Sequence, residues 1–507
     1  MTGTDVLVAG AGPTGLVTAL WLAAQGIRVR IIDKTDGPGQ TSRATVVHAR
    51  TLELYRQLGI GDAVADTGHR VTAVNMWAGG RRRAHVRLGD AGAALSPYPF
   101  VLIHPQDLHE KFLIERLTER GVQVERRTEL VDFSQDRDAV TIQLRGPDGG
   151  ARSCTAAYLA GCDGAGSAVR KRLGAGFEGG TYDHLFYVAD VDVRNDALKG
   201  EIHVAFKGPD FMLIMPYGPP GKFRFVGALR TDRLEQARPL GFDDVGHDAI
   251  RMLGLDIGAV NWFSTYHVHH RVTDHFRHGR AFLLGDAAHI HSPVGGQGMN
   301  TGIGDAINLA WKLAAVLKGN ASDSLLDSFE AERPAFARRL VATTDRAFTV
   351  VVKPGGLAEF VRNHVAPLLL EAVSGLEPAR DALFRLVSQT MIHYPDSPLS
   401  AGKAGRVSGG DRLPYVRFDG GDNYASSSTP GWQVHVYGTG SAELHAWCAR
   451  HGLPLREFPW CDAFDAAGLA RDALYLLRPD SYVGLAQPGG DHRGIEAYFI
   501  SRGIRAG

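Results

Sequence analysis

Hydrophobic and polar positions along this chain change rhythm several times, and each change marks a predicted element. Asp5-Val-Leu-Val-Ala is a short apolar run of buried-strand type. It breaks at Gly10-Ala-Gly12-Pro13-Thr14-Gly15 and resumes as an apolar stretch of helical length from Leu16 to Gln25. A second strand is predicted over Arg28 to Ile32, closed by Asp33 and followed by Lys34. Strand, turn and helix return at Ala157-Tyr-Leu-Ala-Gly-Cys-Asp163-Gly164 running to Arg170, and again at Gly279-Arg-Ala-Phe-Leu-Leu-Gly285-Asp286 running to Asp305. Between about residues 180 and 270 the period shortens to that of strands, as in Phe211-Met-Leu-Ile-Met-Pro-Tyr217 and Phe223-Arg-Phe-Val-Gly-Ala-Leu. Helices are predicted through Trp311, over Leu325 to Glu332 and over Phe336 to Phe348. From Asp396 the composition turns to Gly, Ser and Pro before a last α/β stretch that ends in Ala473-Leu-Tyr-Leu-Leu-Arg478-Pro-Asp480. The predicted organisation is α/β in four pieces: a dinucleotide-binding domain over 1–178 that resumes with helices over 271–395, a sheet domain over 179–270, and a separate domain over 396–507.

Length and charge narrow the function classes. A chain of 507 residues exceeds one hydrophobic core, and its 55 basic and 55 acidic side chains cancel, so no nucleic acid or other polyanion is expected as a partner. The triple Arg81, Arg82, Arg83 reads as a solvated loop face. Cys154, Cys162, Cys448 and Cys461 lack CxxC or metal-ligand spacing, as expected of reduced thiols in a cytoplasmic enzyme. No export leader and no apolar run long enough for a membrane span is read. His267 and His269 share a strand face while His270 points away, and neither they nor His289 and His291 gain a Cys or carboxylate that completes a set, so no metal is expected.

The three glycines of the first turn have separate tasks. Gly10 permits the tight turn, Gly12 lets the backbone approach a pyrophosphate, and Gly15 lets helix and strand pack closely. The helix start offers free N–H groups and positive dipole to the phosphates. Asp33 can take both hydroxyls of an adenosine ribose, which favours FAD or NAD and disfavours NADP at this site. A second GxGxxG, Gly174 to Gly179, follows a helix and not a strand and is rejected.

These motifs, with Ser42-Arg43-Ala, His48-Ala-Arg50-Thr-Leu-Glu53 and Pro105-Gln106, resemble over nearly the whole chain the class A flavoprotein monooxygenases. Among them the para-hydroxybenzoate and phenol hydroxylases, and most closely the aromatic polyketide hydroxylases, share the pattern. The resemblance implies an FAD-binding Rossmann-type domain, a β-sheet substrate lid and a thioredoxin-like C-terminal domain. It implies that Asp286 bonds the ribityl chain and that Pro293 through Asn300, including Gly296, Gly298 and Met299, present N–H groups to the isoalloxazine. Arg43 and Gln106 would touch the pyrophosphate and ribityl regions, and Asp163 with Gly164 would serve both FAD and a transiently docked NADPH or NADH. Phe211, Met215, Pro216 and Phe225 are the expected pocket walls.

The implied reaction is hydroxylation of a phenolic, polyketide or pyrone-like substrate with O2 by way of a C4a-hydroperoxyflavin, the cofactor supplying the chemistry. No catalytic base is identifiable; His48, Arg50, Tyr217 and Arg224 are candidates for a group that favours the phenolate. The rivals are a Baeyer–Villiger oxygenase on the same fold and a non-catalytic flavoprotein that sequesters a drug or metabolite. A flavin halogenase requires a Trp-x-Trp-x-Ile-Pro segment that the chain lacks, and a Ser hydrolase a G-x-S-x-G elbow that it also lacks. Nothing in the sequence specifies an oligomeric state.

Overall fold

The computed structural model describes the chain except residues 1–2, 40–43, 88–91, 208–209, 231–239, 246, 292–295, 353–376, 426–428 and 507. The first apolar run is Thr4–Ala9, and it pairs in parallel with Val29–Ile32 on one side and with Ala151–Gly161 on the other. Val124–Glu125 and Ala281–Leu283 continue the parallel order outward. A strand covered on both faces reads as a continuous apolar run, and Val6, Leu7 and Val8 are fully buried. The first helix, Pro13–Ala24, lies against this sheet, and the long helix Gln297–Leu317 packs beside it. The long helix is buried from Asn300 to Ala314 because it has a neighbour on each side. Ile303, Ala306 and Leu309 enter the core of the first sheet, and Trp311 enters the core of the C-terminal unit.

The predicted lid is an eight-stranded sheet. Its central strands, Phe177–Val193, Lys222–Arg230 and Asp210–Pro216, run antiparallel. The hairpin Ala73–Ala78 and Arg81–Arg87 also joins it, so this sheet draws on chain from within the range assigned to the first domain. The triple arginine accordingly begins an edge strand and is not a loop. Register fixes the faces: Met215 sits opposite Arg224, which sits opposite Asp190, and these side chains share one face. That inner face, with Val188 and Val226, meets Val46, Val71 and Ile103 of the first unit. The outer face carries Ala189, Ile214, Phe223 and Phe225 and is closed by the helix His247–Leu253.

Residues after Asp396 form a third sheet. Gln433–Tyr437, a helix and Leu455–Phe458 make a parallel pair, and Leu474–Leu477 and Val483–Gln487 follow as an antiparallel hairpin before a last helix, His492–Ser501. This unit is fastened to the long helix by buried charge. The Glu332 carboxylate accepts from Arg478 Nη1 at 2.6 Å, Arg478 Nη2 at 3.0 Å, Lys312 Nζ at 2.9 Å, Asn308 Nδ2 at 2.6 Å and Ser397 Oγ at 2.6 Å. Asp480 accepts from Arg478 Nη2 at 2.7 Å and from Trp311 Nε1 at 3.0 Å. Burial works against the charges of Glu332, Lys312 and Arg478, yet the cations around Glu332 hold its carboxyl well below the usual range, while burial pushes the Lys312 ammonium down to about 8.

Two histidines are wholly enclosed, His109 against Tyr55 and His435 in the third sheet, and burial pushes each down to about 3. The unfolded chain takes up a proton on each below about pH 6.5 while the folded one does not, so stability is lost as pH falls from there toward 3. At pH 5 each histidine is expected to cost about 2 kcal/mol relative to pH 8. Chemical denaturation at the two pH values checks this, with His435→Phe expected to recover its share of the loss.

Candidate active site

The glycine turn is built by close approach. A Cβ on Gly10, whose φ is +101°, would lie 2.3 Å from the Cys162 carbonyl oxygen, and one on Gly15 would lie 1.9 Å from the Gly10 oxygen. At Gly12 the same Cβ would meet nothing within 4 Å, so the turn opens outward there. Gly12 is also the N-cap of the first helix, which has Pro13 next in line, no side-chain cap and no acid in its first turn. Its leading N–H groups are left for a ligand. Asp33 stands beside them, Oδ2 accepting from Ala11 N at 2.7 Å and Oδ1 from Thr35 N at 2.8 Å, and Lys34 is exposed next to it.

A second uncapped helix start is brought alongside. The long helix begins after Gly296, in left-handed conformation with φ +63°, again with neither side-chain cap nor acid in the first turn, and Gly298 and Met299 occupy that turn half-buried. A Cβ on Gly302 would lie 2.3 Å from Thr14 Oγ1 and 3.1 Å from Gly285 Cα, so glycine is what allows the two helices and the Gly285–Ala287 turn to converge. In that turn Gly285, Ala287 and Ala288 are buried and Asp286 alone is exposed. Asn300 ties the helix start to the segment before it: Oδ1 accepts from His48 N at 2.9 Å and Thr51 Oγ1 at 2.8 Å, and Nδ2 donates to Val46 O at 2.9 Å. Asn300 is therefore a buried brace.

The Asp163–Gly164 turn adjoins the glycine turn, since Cys162 N donates to Ala9 O at 2.8 Å. Asp163 accepts from Ser167 Oγ at 2.5 Å and from Ala168 N at 2.7 Å, which makes its carboxylate a helix clamp, while Gly164, φ +79°, borders open space. Gln106 opens the helix Gln106–Thr118 and donates through Nε2 to Glu110 Oε1 at 2.8 Å. Arg43 and Pro293 lie outside the described residues.

The register divides the four expected pocket walls between two faces of the sheet. Met215, with Thr45 Oγ1 at 3.8 Å from its sulfur, and Phe211 are on the inner face. Phe225 is on the outer face with its ring 6.4 Å from Phe242, and Pro216, next to Met215 in the strand, turns the same way as Phe225. Neighbouring residues of a strand face opposite sides.

Among the catalytic candidates, Arg50 is committed elsewhere. It donates to Glu53 Oε2 at 3.1 Å and to Asp480 O at 2.8 Å and lies over the Tyr482 ring, so it belongs to the seam with the C-terminal unit. His48 is buried at the N-cap of the helix Ala49–Arg56. Arg224 is fully buried on the inner face and bonds both Asp190 oxygens at 2.7 Å, with Tyr217 stacked on its guanidinium at 3.8 Å and Trp262 at 5.5 Å. Burial pushes the Tyr217 phenol up, so it is a proton-bearing donor at neutral pH. Among the described residues no three His, Cys, Asp or Glu side chains form a metal-holding group.

Sequence reasoning passed over Asp305, although it stood at the end of the glycine-rich motif. Its buried carboxylate accepts from Gly285 N at 3.0 Å, His289 Nε2 at 2.7 Å and Arg333 Nε at 2.6 Å. Burial opposes that charge, but Arg333 and His289 outweigh it and hold the carboxyl below the usual carboxylate range.

Two open helix starts, one over a glycine cradle with a neighbouring acid and one beside an exposed carboxylate, fit the two ends of a dinucleotide whose ring system gains negative charge on reduction. Comparison with known proteins agrees. The family model described as FAD binding domain matches residues 3–344. The chain is 37% identical over 417 residues to the 6-methylpretetramide 4-monooxygenase of Streptomyces rimosus, covering 80% of this chain and 73% of that protein. It is 35% identical over 422 residues to the 12-dehydrotetracycline 5-monooxygenase/anhydrotetracycline 6-monooxygenase of the same species, covering 78% and 80%. The solved structure of the anhydrotetracycline hydroxylase OxyS of Streptomyces rimosus superposes with a TM-score of 0.79 over 100% of both chains at 27% identity. With its glycine cradle, convergent helix starts and exposed Asp286 in place, the chain belongs to the FAD-binding-domain family and is a flavin-dependent monooxygenase.

Proposed function

We propose that this enzyme hydroxylates a polycyclic phenolic substrate of polyketide type, with NADPH as the reductant. The observation that carries the reading is the inner side of the lid sheet, where Val188, Met215 and Val226 are buried against the first unit and half-buried Leu213 and Trp262 stand beside a polar cluster, Arg224, Asp190 and Tyr217. Such a wall suits a flat, largely apolar ring system with few oxygens. The named activities of the two relatives on tetracycline precursors support the same class.

Bound FAD, reduced by a nicotinamide dinucleotide and reoxidised by O2, supplies the oxygen-transfer chemistry. The chain contributes the rest. Gly12, the N–H groups after Pro13 and Asp33 hold the adenosine diphosphate end, and the N-terminus of the long helix directs positive dipole at the ring. Asp190 neutralises Arg224, which leaves that arginine a platform for Tyr217 and not a free cation for a phenolate. Tyr217 donates its proton in a hydrogen bond to a substrate oxygen. The lid excludes water from the reacting centre. Asp163 and Gly164 border the open side at which the reductant docks.

Met215→Ala, on the inner face, is expected to raise the substrate KM about tenfold and, because Met215 is itself buried, to cost about 2–3 kcal/mol of stability, whereas Phe225→Ala is expected to lower stability by about 3 kcal/mol and leave KM unchanged. Steady-state kinetics and thermal unfolding of the two variants check the assignment of faces.

The C-terminal unit is read as thioredoxin-like, on the strength of its strand–helix–strand–helix–hairpin–helix order. Cys448 is buried and Cys461 is remote in sequence, so a structural role is inferred and not disulfide exchange. The supply of NADPH and the four free cysteines suit the cytoplasm. No described helix is long and apolar enough to cross a membrane.

The deciding experiment is NADPH oxidation by the purified yellow protein across a panel of simple phenols and polycyclic polyketides, with oxygen uptake, peroxide and product mass followed together. A polycyclic phenol that accelerates oxidation and gains one oxygen with little peroxide supports the proposal. Ring expansion with the same mass gain replaces it with Baeyer–Villiger chemistry. A ligand that binds tightly without accelerating NADPH consumption favours the sequestering reading.

A further inference from the structure

A group of buried charges stands behind the turn that presents Asp286. Asp305 receives three donors from three different elements: the amide of Gly285 in the turn that presents Asp286, the ring of His289, and Arg333. Arg333, itself 1% exposed, spends its other nitrogens on Tyr394 Oη at 2.8 Å and on Thr301 O at 3.0 Å, in the first turns of the long helix. Tyr394 is seated on the C-terminal unit, its N–H donating to Gly410 O at 2.9 Å and its ring 4.7 Å from Tyr482. A second thread runs beside it, for Gln389, held at a left-handed φ of +59°, donates to Thr301 Oγ1 at 3.1 Å. Non-glycine residues occupy that conformation only where their surroundings require it.

A buried ion pair costs desolvation, and apolar groups of like volume would fill the space as stably. The geometry offers a reason for the charge: each group fixes the direction of the next, from the C-terminal unit to the turn at the flavin. We propose that Tyr394, Arg333 and Asp305 form a positioning relay through which the seating of the C-terminal unit sets the placement of the Gly285–Asp286 turn, and with it the affinity and reduction potential of the bound flavin. The inference rests on the assignment of that turn to FAD.

Tyr394→Phe removes one oxygen from the relay and leaves every residue of the cradle in place. It is expected to raise the FAD dissociation constant about five- to tenfold and to shift the midpoint potential of the bound flavin, with the unfolding temperature of the apoprotein lowered only modestly, since Nη1 of Arg333 loses its acceptor while the Asp305 pair remains. Arg333→Lys keeps a cation beside Asp305 but loses the fork to Tyr394 and Thr301, and is expected to do the same. The double variant is expected to be no worse than Arg333→Lys alone, because both changes cut one path. Tyr498→Phe, which removes a buried hydroxyl bonded to Leu399 O at 2.7 Å in the C-terminal core, is the control and is expected to leave FAD affinity alone. The relay is overturned if Tyr394→Phe binds FAD with the parent's affinity and potential, or if Tyr498→Phe weakens FAD as much. A parent protein that takes up no FAD at all overturns the flavin site itself and is recognised before any variant is compared.

Discussion

Replacing Gly15 with alanine is expected to raise the dissociation constant for FAD by about a hundredfold and to destabilise the apoprotein by about 1–3 kcal/mol. The new methyl group would sit 1.9 Å from the Gly10 carbonyl oxygen, a backbone atom that cannot rotate away, so strand and helix must part. Gly12→Ala provides the contrast. Its methyl meets no protein atom within 4 Å and projects into the space a pyrophosphate needs, so the apoprotein is expected to unfold as the parent does while FAD affinity collapses. Fluorescence titration with FAD and thermal unfolding of the apoproteins separate the two effects. A Gly15→Ala protein that binds FAD normally would show that the close approach is not needed.

Glu332→Ala is expected to have the largest effect on stability, about 3–5 kcal/mol, because it takes from Lys312 its buried counter-charge and leaves Arg478 with Asp480 alone. Both cations are fully buried, and water cannot reach them unless the seam opens. The C-terminal unit should loosen, and limited proteolysis is expected to cut ahead of Ala401, where the third sheet begins, at protease levels that leave the parent intact. Glu332→Gln, which keeps shape and loses charge, is expected to fall between the two in chemical denaturation.

Much of the first unit could be read from the chain because its signals are local. A strand, a glycine turn and a helix start occupy about twenty consecutive residues, and each glycine position answers to a contact with its near neighbours. The lid was legible as strands but not as faces. Alternation separates two sets of side chains; only pairing across the sheet decides which set looks inward, and that pairing joins residues such as Met215, Arg224 and Asp190. Periodicity alone already separates some of the expected residues. Met215 with Pro216, and Arg224 with Phe225, are neighbours in extended strands and cannot both face the pocket. The seam with the C-terminal unit was the least legible, since its bonds join Arg50 to Asp480 across 430 residues and Glu332 to Arg478 across 146. The Arg478-Pro-Asp480 step was visible in the sequence as the end of the last α/β stretch, without its partners. Asp305 was overlooked for a different reason: at the end of a glycine-rich motif, a carboxylate that braces a turn looks the same as one that faces solvent.

The lid sheet keeps much of its own core on the side away from the first unit, where Ile214, Phe223 and Phe225 meet the helix His247–Leu253. Its cohesion therefore depends less on what stands at Leu213 or Trp262, half-buried side chains that look the other way. Such a division of labour makes the scaffold evolvable. Selection can recut the wall that greets a new substrate, one inward position at a time, while the folded state and the cofactor cradle beneath it go on unchanged.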